Sequence, residues 1–372
     1  MKYYIIAGEA SGDLHGSNLI KALHKTDTAA IIRCWGGDKM QAAGATLVKH
    51  FRDLAFMGFA EVLLNIRTII RNLKFCKEDI RAFKPDVLVL IDYPGFNLRI
   101  AAWARQAGIK VVYYISPQVW AWKENRVQQM KKCINKMLVI LPFEKAYYKT
   151  KWNWEVEYVG HPLTEAIAAA KQEIPIELPT LGAQRPVIAL LPGSRKQEIR
   201  KKLPVMLEVS KAFPDYNFVV ARAPGLADDF YRELLNGYAN VSAVSGKTYG
   251  LLQQATAALV TSGTATLETA LLGVPQVVCY KGNPISYQIA KRLINIRYIS
   301  LVNLIMDRQV VEELIQDELN VTRLTAALRR ILPSQPERLR ILEQYGQLQQ
   351  MLETDSRPSE KAAISIVATA NC

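Results

Sequence analysis

The feature that most constrains this chain is a series of short apolar runs in which polar residues do not alternate with hydrophobic ones. Segments with helical periodicity lie between these runs. Strands that are apolar on both faces are typical of a parallel sheet that helices cover on both sides. Because the pattern occurs in both halves of the chain, the sequence predicts an α/β protein with two doubly wound, Rossmann-like domains.

The domain boundary is predicted in residues 171–186, a segment with little periodicity that contains three prolines and a glycine. A chain of 372 residues also exceeds what a single core usually supports. We therefore expect domains over residues 1–170 and 186–345, and a further helix over residues 346–372. The expected strands are Tyr3–Ala7, Ile31–Trp35, Val87–Ile91, Val111–Ile115, Met137–Leu141 and Glu157–Val159 in the first domain, and Val187–Leu191, Asn217–Ala221, Ala257–Thr261 and Val274–Tyr280 in the second.

The net charge of +13 is unusual, and most of it lies in one part of the chain. Seventeen Lys and Arg but only six Asp and Glu fall between Arg67 and Lys151, which accounts for eleven of the thirteen charges. Such a surplus indicates an anionic partner, which is a nucleic acid, a membrane surface or a phosphorylated substrate. Solvated helix faces are the alternative explanation.

The cysteines and the N-terminus indicate a reducing, cytoplasmic location. The five cysteines are scattered without a CxxC pair, which argues against a disulfide framework and against a structural zinc site. Only five apolar residues separate Lys2 from Gly8, too few for the apolar core of a signal peptide. No stretch approaches the 18 or so apolar residues of a membrane span.

Two loops that follow predicted strands have the composition of anion-binding sites, and both lie in the second domain. Gly193 and Ser194 form a compact turn before Arg195, whose fork-shaped cation suits a phosphate. The segment Thr261–Glu268 opens a helix whose first N–H groups and hydroxyls can bind a diphosphate. Glu268 lies about one turn inside that helix and can accept both hydroxyls of a ribose, although a capping pattern would also place a Glu there.

Acid–base candidates lie at the ends of strands in the first domain. Asp92 follows the predicted strand Val87–Ile91, at the end where open α/β sheets place active sites, although capping of the next turn would also explain it. His15 and His161 are the other candidates for proton transfer. His15 lies in a small-residue loop, Gly8–Gly16, that is either a third anion-binding loop or a plain tight turn.

Residues 57–75 predict an amphipathic helix at the start of the basic region. An apolar face is flanked by cations, which fits either a core-facing helix or one that rests in a membrane interface. The apolar positions are Val62, Ile66, Ile69, Ile70 and Leu73, and the cations are Arg67, Arg71, Lys74 and Lys77.

Other nucleotide-binding and nucleic-acid-binding classes fit less well. Residues 245–248 end like a phosphate-binding P-loop, but Val241 stands where the first glycine is required. Neither domain contains the GxGxxG pattern of dinucleotide-dependent dehydrogenases. No recognised module for reading nucleic acid is present, so we expect no nucleic-acid partner.

Taken together, the motifs resemble those of lipid-A-disaccharide synthases, which are metal-independent inverting glycosyltransferases with the GT-B fold. The resemblance covers nearly the whole chain and depends on several motifs in order. These are Ser11–Gly16, Met57-Gly58 with Glu61–Leu63, Ile91-Asp92 with Pro94 and Phe96-Asn97, Ser116–Trp122, Leu141–Glu144, Gly160–Leu163, Leu191–Arg195 and Ser262–Glu268.

The resemblance implies transfer of 2,3-diacylglucosamine from UDP to 2,3-diacylglucosamine 1-phosphate (lipid X), without a metal or a cofactor. It implies a first domain for the lipid acceptor and the cytoplasmic face of the inner membrane, and a second domain for the UDP-sugar. It also implies that the C-terminal helix returns to the first domain, and it leaves a homodimer open. The implied catalytic residues are Asp92, His15 and Arg195, and the implied UDP-binding residues are Ser11, Gly193, Ser194, Arg195, Ser262, Gly263, Thr264, Glu268 and Asn303.

The chain departs from the family pattern at two positions. Gly95 replaces a second acid that is common in the family, which argues against a mechanism with both of those carboxylates and favours Asp92 as the base. Val302 replaces a common proline and affects only the rigidity of a loop. The alternative function is another GT-B transferase or an epimerase that uses UDP-N-acetylglucosamine in envelope biosynthesis.

Overall fold

The computed structural model describes residues 1–54, 66–172, 176–179, 185–223, 225–284, 287–288, 292 and 296–372. These residues form two compact units, one of Met1–Pro162 with Thr354–Cys372 and the other of Leu163–Glu353. The chain therefore changes unit at Pro162/Leu163, ahead of the proline-containing segment in which the sequence analysis placed the boundary. The helix that begins at Pro162 continues into the second unit.

The first unit is built around a seven-stranded parallel sheet in the order β3-β2-β1-β4-β5-β6-β7. The order reverses between β1 and β4, so the loops that follow these two neighbouring strands meet at a topological switch point. The strands are β1 Lys2–Ala7, β2 Ile31–Gly36, β3 Thr46–His50, β4 Val87–Ile91, β5 Lys110–Tyr114, β6 Lys136–Val139 and β7 Glu157–Tyr158.

The second unit has a six-stranded parallel sheet in the order β10-β9-β8-β11-β12-β13. Here the order reverses between β8 and β11, and the carboxyl ends of β8, β9 and β11 lie side by side. The strands are β8 Val187–Leu191, β9 Asn217–Arg222, β10 Val241–Ser245, β11 Ala255–Thr261, β12 Gln276–Tyr280 and β13 Glu312–Ile315.

Helices connect the strands of both sheets. In the first unit they are Ala10–Thr26, Asp38–Ala42, Ile66–Phe83, Pro94–Gln106, Arg126–Cys133, Pro142–Trp152 and Pro358–Asn371, with a 3₁₀ turn at Phe51–Leu54. In the second unit they are Lys196–Ser210, Asp228–Leu235, Thr248–Gln254, Thr264–Leu271, Leu301–Met306, Val321–Arg330 and Pro336–Leu352, with a 3₁₀ turn at Gln316–Glu318, and the helix Pro162–Ala170 spans the change of unit.

Two doubly wound domains are confirmed, but three strands were missed. β3, β10 and β13 all lie at the edges of their sheets, where one side of the strand has no neighbour. Their sequences contain charged or hydroxyl-bearing residues, because an edge strand is partly solvated and does not need to be apolar on both faces. A search for continuous apolar runs therefore finds the central strands more readily than the edge strands, of which only β7 was predicted.

The C-terminal helix Pro358–Asn371 packs on the helix Ala10–Thr26, and both belong to the first unit. Ala362, Ala363 and Ile366 are fully buried in the same core cluster as Leu19. The return to the first unit that the resemblance implied is thus present. It begins at Thr354, whereas the preceding helix Pro336–Leu352 stays with the second unit.

The predicted amphipathic helix is described only in part, as Ile66–Phe83. Residues 57–65, including Val62, lie outside the described residues, and so does the side chain of Ile66. Cys76 and Ile80 face the core, whereas Ile70 is 60% exposed. Among the residues that the structure describes, no helix is both long enough and apolar enough to span a bilayer.

Candidate functional site

The first candidate site lies where β1 and β4 end next to each other. Ala7 pairs with Ile91, so Glu9 and Asp92 follow neighbouring strands at the same edge of the sheet. Asp92 and Tyr93 have φ angles of 45° and 49°, a left-handed conformation that is uncommon for residues other than glycine. Gly8 is required beside them, because a Cβ atom there would lie 2.3 Å from Cγ of Tyr93.

The strained backbone of Asp92 is held by hydrogen bonds from three directions. Its N–H donates to the carbonyl of Tyr114 at 3.1 Å. Its carbonyl accepts from the Tyr113 hydroxyl at 2.6 Å and from Nδ2 of Asn97 at 2.8 Å. Backbone strain that persists under such constraint is characteristic of functional sites, because the surroundings fix a side chain in one direction.

The electrostatics of this site favour a proton-transfer role for Asp92. The pKa of Asp92 is raised to about 6, mainly by burial and to a smaller extent by the nearby Glu9 carboxylate. Such a carboxyl group ionises close to neutral pH, where a general base works best. The sequence analysis did not single out Glu9. Its position directly after β1 was visible, but its proximity to Asp92 depends on the pairing of β1 with β4.

A second buried carboxyl group, Glu144, supports the loop after β5. It accepts hydrogen bonds from the N–H of Leu141 at 2.9 Å, from the N–H of Ile140 at 3.2 Å and from Nε1 of Trp120 at 3.2 Å. Burial raises its pKa to about 7. Because its oxygens are occupied by donors within the protein, Glu144 fixes the position of Trp120 rather than facing a substrate.

The two histidine candidates are buried and electrically neutral. Burial, with Lys39 nearby, lowers the pKa of His15 to about 4. Burial, with His15 nearby, lowers the pKa of His161 to about 3. Nδ1 of His15 is buried, and no described residue forms a hydrogen bond with it. Ser11 is exposed in the first turn of the helix Ala10–Thr26.

The second candidate site is a cavity of about 240 Å³ at the carboxyl edge of the second sheet. Loops after β8, β9 and β11 and the start of the helix Thr248–Gln254 form its walls. The structure thus brings together six of the nine predicted UDP-binding residues, whereas Ser11, Arg195 and Asn303 do not line the cavity. The lining residues are Leu191, Gly193, Ser194, Glu198, Ala221, Arg222, Ala223, Thr248, Thr261, Ser262, Gly263, Thr264, Ala265 and Glu268.

Glycine shapes both of the loops in this cavity that were predicted to bind an anion. Gly193 has a φ of +117°, and a Cβ atom there would lie 2.7 Å from Oε2 of Glu198. Gly263 has a φ of +148° and directly precedes the helix Thr264–Leu271. Its conformation directs the first turn of that helix toward the cavity, where N–H groups without partners in the helix can bind an anion.

The cations near this cavity share a carboxylate. Nη1 of Arg195 donates to Oε1 of Glu198 at 3.2 Å, and Nζ of Lys202 lies 3.8 Å from Oε2 of the same residue. Lys202 is buried, and burial lowers its pKa. The sequence analysis missed Lys202, although it lies on the same helix face as Glu198, four residues further along. An anionic ligand would find both cations already grouped beside the Gly193 loop.

Glu268 is held by a tyrosine from a neighbouring helix. The hydroxyl of Tyr249 donates to Oε1 of Glu268 at 3.0 Å. Burial raises the pKa of Glu268, and the Tyr249 hydrogen bond partly offsets that rise. Thr248, the last residue of the segment whose sequence ended like a P-loop, lines the cavity, and Tyr249 directly follows it. That segment therefore contributes to the cavity through a side chain and a helix start rather than through a phosphate-binding loop.

Asn303 does not offer the direct nucleotide contact that the resemblance implied. Its Nδ2 donates to the carbonyl of Val311 and to Oε1 of Glu313, both at 2.9 Å. Its Oδ1 accepts from the N–H groups of Val310 and Val311 at 2.8 and 3.0 Å. The amide is fully buried and its hydrogen-bonding capacity is used within the protein, so Asn303 has a positioning role.

Through Glu313, Asn303 acts on the loop that supports Ser262. Glu313 accepts from the N–H groups of Ile299 and Ser300 at 3.0 and 2.9 Å, and the hydroxyl of Ser262 donates to the carbonyl of Ile299 at 2.8 Å.

Across the described ranges, no group of three or more His, Cys, Asp or Glu residues could hold a metal ion.

Comparison with known proteins identifies the family. The family model described as lipid-A-disaccharide synthetase matches residues 3–367 of this chain. The chain belongs to the lipid-A-disaccharide synthase family. A lipid-A-disaccharide synthase of Geobacter metallireducens is 40% identical over 334 residues, which cover 88% of this chain and 87% of the relative. Another, of Syntrophus aciditrophicus, is 37% identical over 377 residues, with 99% and 98% covered.

Solved structures confirm the GT-B fold. A UDP-GlcNAc 2-epimerase from Neisseria meningitidis bound to UDP-GlcNAc has a TM-score of 0.64 at 14% identity, with 99% of both chains covered. The calicheamicin glycosyltransferase also has a TM-score of 0.64, at 17% identity, with 100% of this chain and 98% of that chain covered. At these identities the likeness shows the fold alone. Together with the family, it confirms the prediction of a glycosyltransferase of lipid A biosynthesis.

Proposed function

We propose that this protein transfers 2,3-diacylglucosamine from its UDP derivative to the 6-hydroxyl of 2,3-diacylglucosamine 1-phosphate, forming a β-1,6-linked disaccharide 1-phosphate and UDP. The substrates follow from the family. The observation that carries the mechanism is the strained, half-buried Asp92, whose raised pKa suits a general base at the point where the strand order of the first sheet reverses.

Asp92 is the proposed base of a single displacement. The oxygen of the acceptor 6-hydroxyl forms a bond to the anomeric carbon while the bond from that carbon to the diphosphate breaks. The hydroxyl proton passes to the Asp92 carboxylate, which is ionised above about pH 6. General-base assistance of this kind typically contributes about 10²–10⁴-fold to the rate. His15, neutral and buried, stays the second candidate for proton transfer.

The residues around the 240 Å³ cavity are proposed to bind UDP and to stabilise its departure. Negative charge develops on the diphosphate as the glycosidic bond breaks. Arg195 and the first N–H groups of the helix at Thr264 are proposed to offset that charge. Glu268 is assigned to the ribose hydroxyls. Ser11 stays a proposed UDP contact, to be tested by substitution.

We further propose that the helix Ile66–Phe83 contacts the cytoplasmic face of the inner membrane. Ile70 and Phe75 are 60% and 43% exposed, and Arg67, Arg71 and Lys74 flank them on the same helix. Exposed apolar side chains beside cations suit an anionic bilayer surface.

The membrane contact is tested with vesicles of phosphatidylcholine and phosphatidylglycerol. Ile69→Ser with Ile70→Ser should lower cosedimentation several-fold without changing the melting temperature. Leu339→Ser, which removes an apolar side chain that is 70% exposed in the second unit, is the control. Equal binding by wild type and the double variant would show that this helix has only a structural role.

A homodimer stays a prediction. It is tested by measuring the molar mass of the protein in solution by light scattering.

The function is tested by incubating the protein with both lipid substrates and measuring UDP release together with the mass of the product. We expect stoichiometric UDP and disaccharide monophosphate. The parallel incubation contains UDP-N-acetylglucosamine in place of the acylated donor. Turnover of that sugar alone, as transfer or as epimerisation at C2, would support the alternative transferase or epimerase and refute the proposal.

A further inference from the structure

The loop after β5 carries a small cationic cluster, Trp122 with Lys123 and Arg126. Nζ of Lys123 lies 4.3 Å from the centroid of a Trp122 ring, and Cζ of Arg126 lies 5.8 Å from it. Trp122 is 44% exposed, and Lys123 is exposed with a left-handed φ of 55°. Two cations are thus gathered around one aromatic ring at the surface of the first unit.

The two cations have no anionic partner within the described part of the chain. No ion pair and no side-chain hydrogen bond there includes Lys123 or Arg126. The carboxylate between them in sequence, Glu124, is engaged elsewhere, since it pairs with Lys151 at 2.7 Å and accepts from the Tyr147 hydroxyl at 2.6 Å. Positive charge that the fold gathers but does not neutralise is suited to an anion from outside.

The cluster lies on the same edge of the sheet as Asp92. β4 and β5 are neighbours, so the loop after β5 is adjacent to the loop that carries Asp92. Asp92 and Arg126 both lie close enough to Tyr113 to shift its pKa. Burial raises that pKa, the Asp92 carboxylate raises it further, and the Arg126 guanidinium lowers it. The Tyr113 hydroxyl donates to the Asp92 carbonyl at 2.6 Å, so Asp92 and Arg126 both lie near the same side chain.

We propose that Lys123 and Arg126, held by Trp122, bind the phosphomonoester of the acceptor sugar. This inference rests on the proposed function, which supplies an acceptor with a hydroxyl at one end and a phosphate at the other. A guanidinium over an aromatic ring keeps the N–H groups of its edge available for phosphate oxygens. The neighbouring ammonium supplies a second charge for the dianion, and the exposed indole covers the apolar side of the sugar.

The same chemistry would suit the phosphate of a membrane lipid, so the experiment must separate the two sources. The test variant is Lys123→Gln with Arg126→Gln. The matched control is Lys132→Gln with Arg105→Gln, which also removes one Lys and one Arg from the first unit. Both control residues are exposed near helix ends, at the opposite edge of the sheet from Asp92.

The kinetic assay uses an acceptor with acyl chains short enough for it to stay dissolved, with and without its phosphate. We expect the test variant to raise KM for the phosphorylated acceptor about ten- to a hundredfold, with KM for the donor unchanged. The control variant should change neither. With the acceptor that lacks phosphate, wild type and test variant should have the same KM. Trp122→Phe should leave KM for the phosphorylated acceptor close to the wild-type value, because an aromatic ring remains. Trp122→Ala should raise it.

Each other outcome overturns the inference. An unchanged KM, or an equal rise for both acceptors, would show that the cluster does not recognise the phosphate. Weaker cosedimentation with vesicles of phosphatidylcholine and phosphatidylglycerol, with KM for the dissolved acceptor unchanged, would assign the cluster to the membrane. A wild-type protein without UDP release would refute the proposed function itself, and that result is distinguishable because it precedes any comparison of variants.

Discussion

The two candidate sites occupy equivalent places in two similar sheets, yet they are built from opposite chemistry. At the first switch point, Glu9 and Asp92 bring two carboxyl groups together, and burial raises the pKa of Asp92 to about 6. At the second, glycines, hydroxyls and a helix start surround a cavity next to Arg195. The first arrangement can accept a proton and the second can accept an anion. Under the proposed function, one fold supplies both halves of a glycosyl transfer, with the difference contained in the loops.

The largest expected effect separates the two sites. Asp92→Asn should lower turnover by about a hundredfold or more, because the amide cannot accept the proton. Calorimetry should give an unchanged affinity for UDP, since the residues assigned to UDP in the second unit are untouched. Loss of UDP affinity together with turnover would contradict the division of roles between the two sites.

A stability measurement guards the Asp92 result against unfolding. Because the folded protein raises the pKa of Asp92, the ionised carboxylate destabilises the native state as pH rises from the ordinary value toward 6 and above. Asp92→Asn should therefore melt at the same or a higher temperature than wild type at pH 8, and the difference should vanish below about pH 4. A lower melting temperature at pH 8 would instead indicate damage to the fold.

The next effect tests the second site. Glu268→Ala should weaken UDP binding about ten- to a hundredfold, because a buried carboxylate that accepts ribose hydroxyls is lost. The same variant should bind 2′,3′-dideoxy-UDP as wild type does. Glu233→Ala, which removes an exposed carboxylate from the same unit, is the control. If UDP and its dideoxy analogue lost affinity equally, Glu268 would support the cavity without contacting the ribose.

The contrast between the sites also shows what the sequence could predict. Central strands and the loops after them were predictable, because burial on both faces leaves continuous apolar runs and because a parallel sheet places those loops at one edge. Six of the UDP-binding candidates lie together around one cavity for that reason. Glu9 was missed because its role depends on which strands are neighbours in the sheet. Lys202 was missed because its role depends on what packs against one face of its helix.

Asn303 illustrates the reverse error. A motif position identified a residue that the fold needs, but motif matching cannot distinguish a side chain that faces a ligand from one whose donors and acceptors are all used within the protein. The hydrogen bonds from Asn303 through Glu313 to the Ser262 loop connect it to the cavity only indirectly.

A smaller effect tests whether the first site is a coupled pair. Asp92 must be ionised to act as the base, so kcat/KM should rise with pH through about 6. Glu9→Gln removes a nearby negative charge and should move this rise to lower pH. The displacement should be partial, because burial is the larger cause of the raised pKa. With Glu78→Gln as the exposed control, an unmoved profile would show that Glu9 does not act on Asp92.

The smallest effect concerns Tyr249, the positioning partner of Glu268. Tyr249→Phe should weaken UDP binding only several-fold, because Glu268 remains but its orientation is less fixed. The Tyr249 hydroxyl lowers the pKa of Glu268 against the upward effect of burial, so its removal should raise that pKa. UDP affinity should then be lost at a higher pH on acidification than in wild type.

A merely structural tyrosine would not move this pH dependence. In the Glu268→Ala background, Tyr249→Phe should have no further effect on UDP binding, because the carboxylate through which it acts is absent. Additive losses in the double variant would contradict the coupling and would give Tyr249 a separate contact. Losses that are not additive would sharpen the comparison between the sites, because in both sheets the acid would then depend on its neighbours. Asp92 would depend on burial and Glu9, and Glu268 on the hydroxyl donor Tyr249.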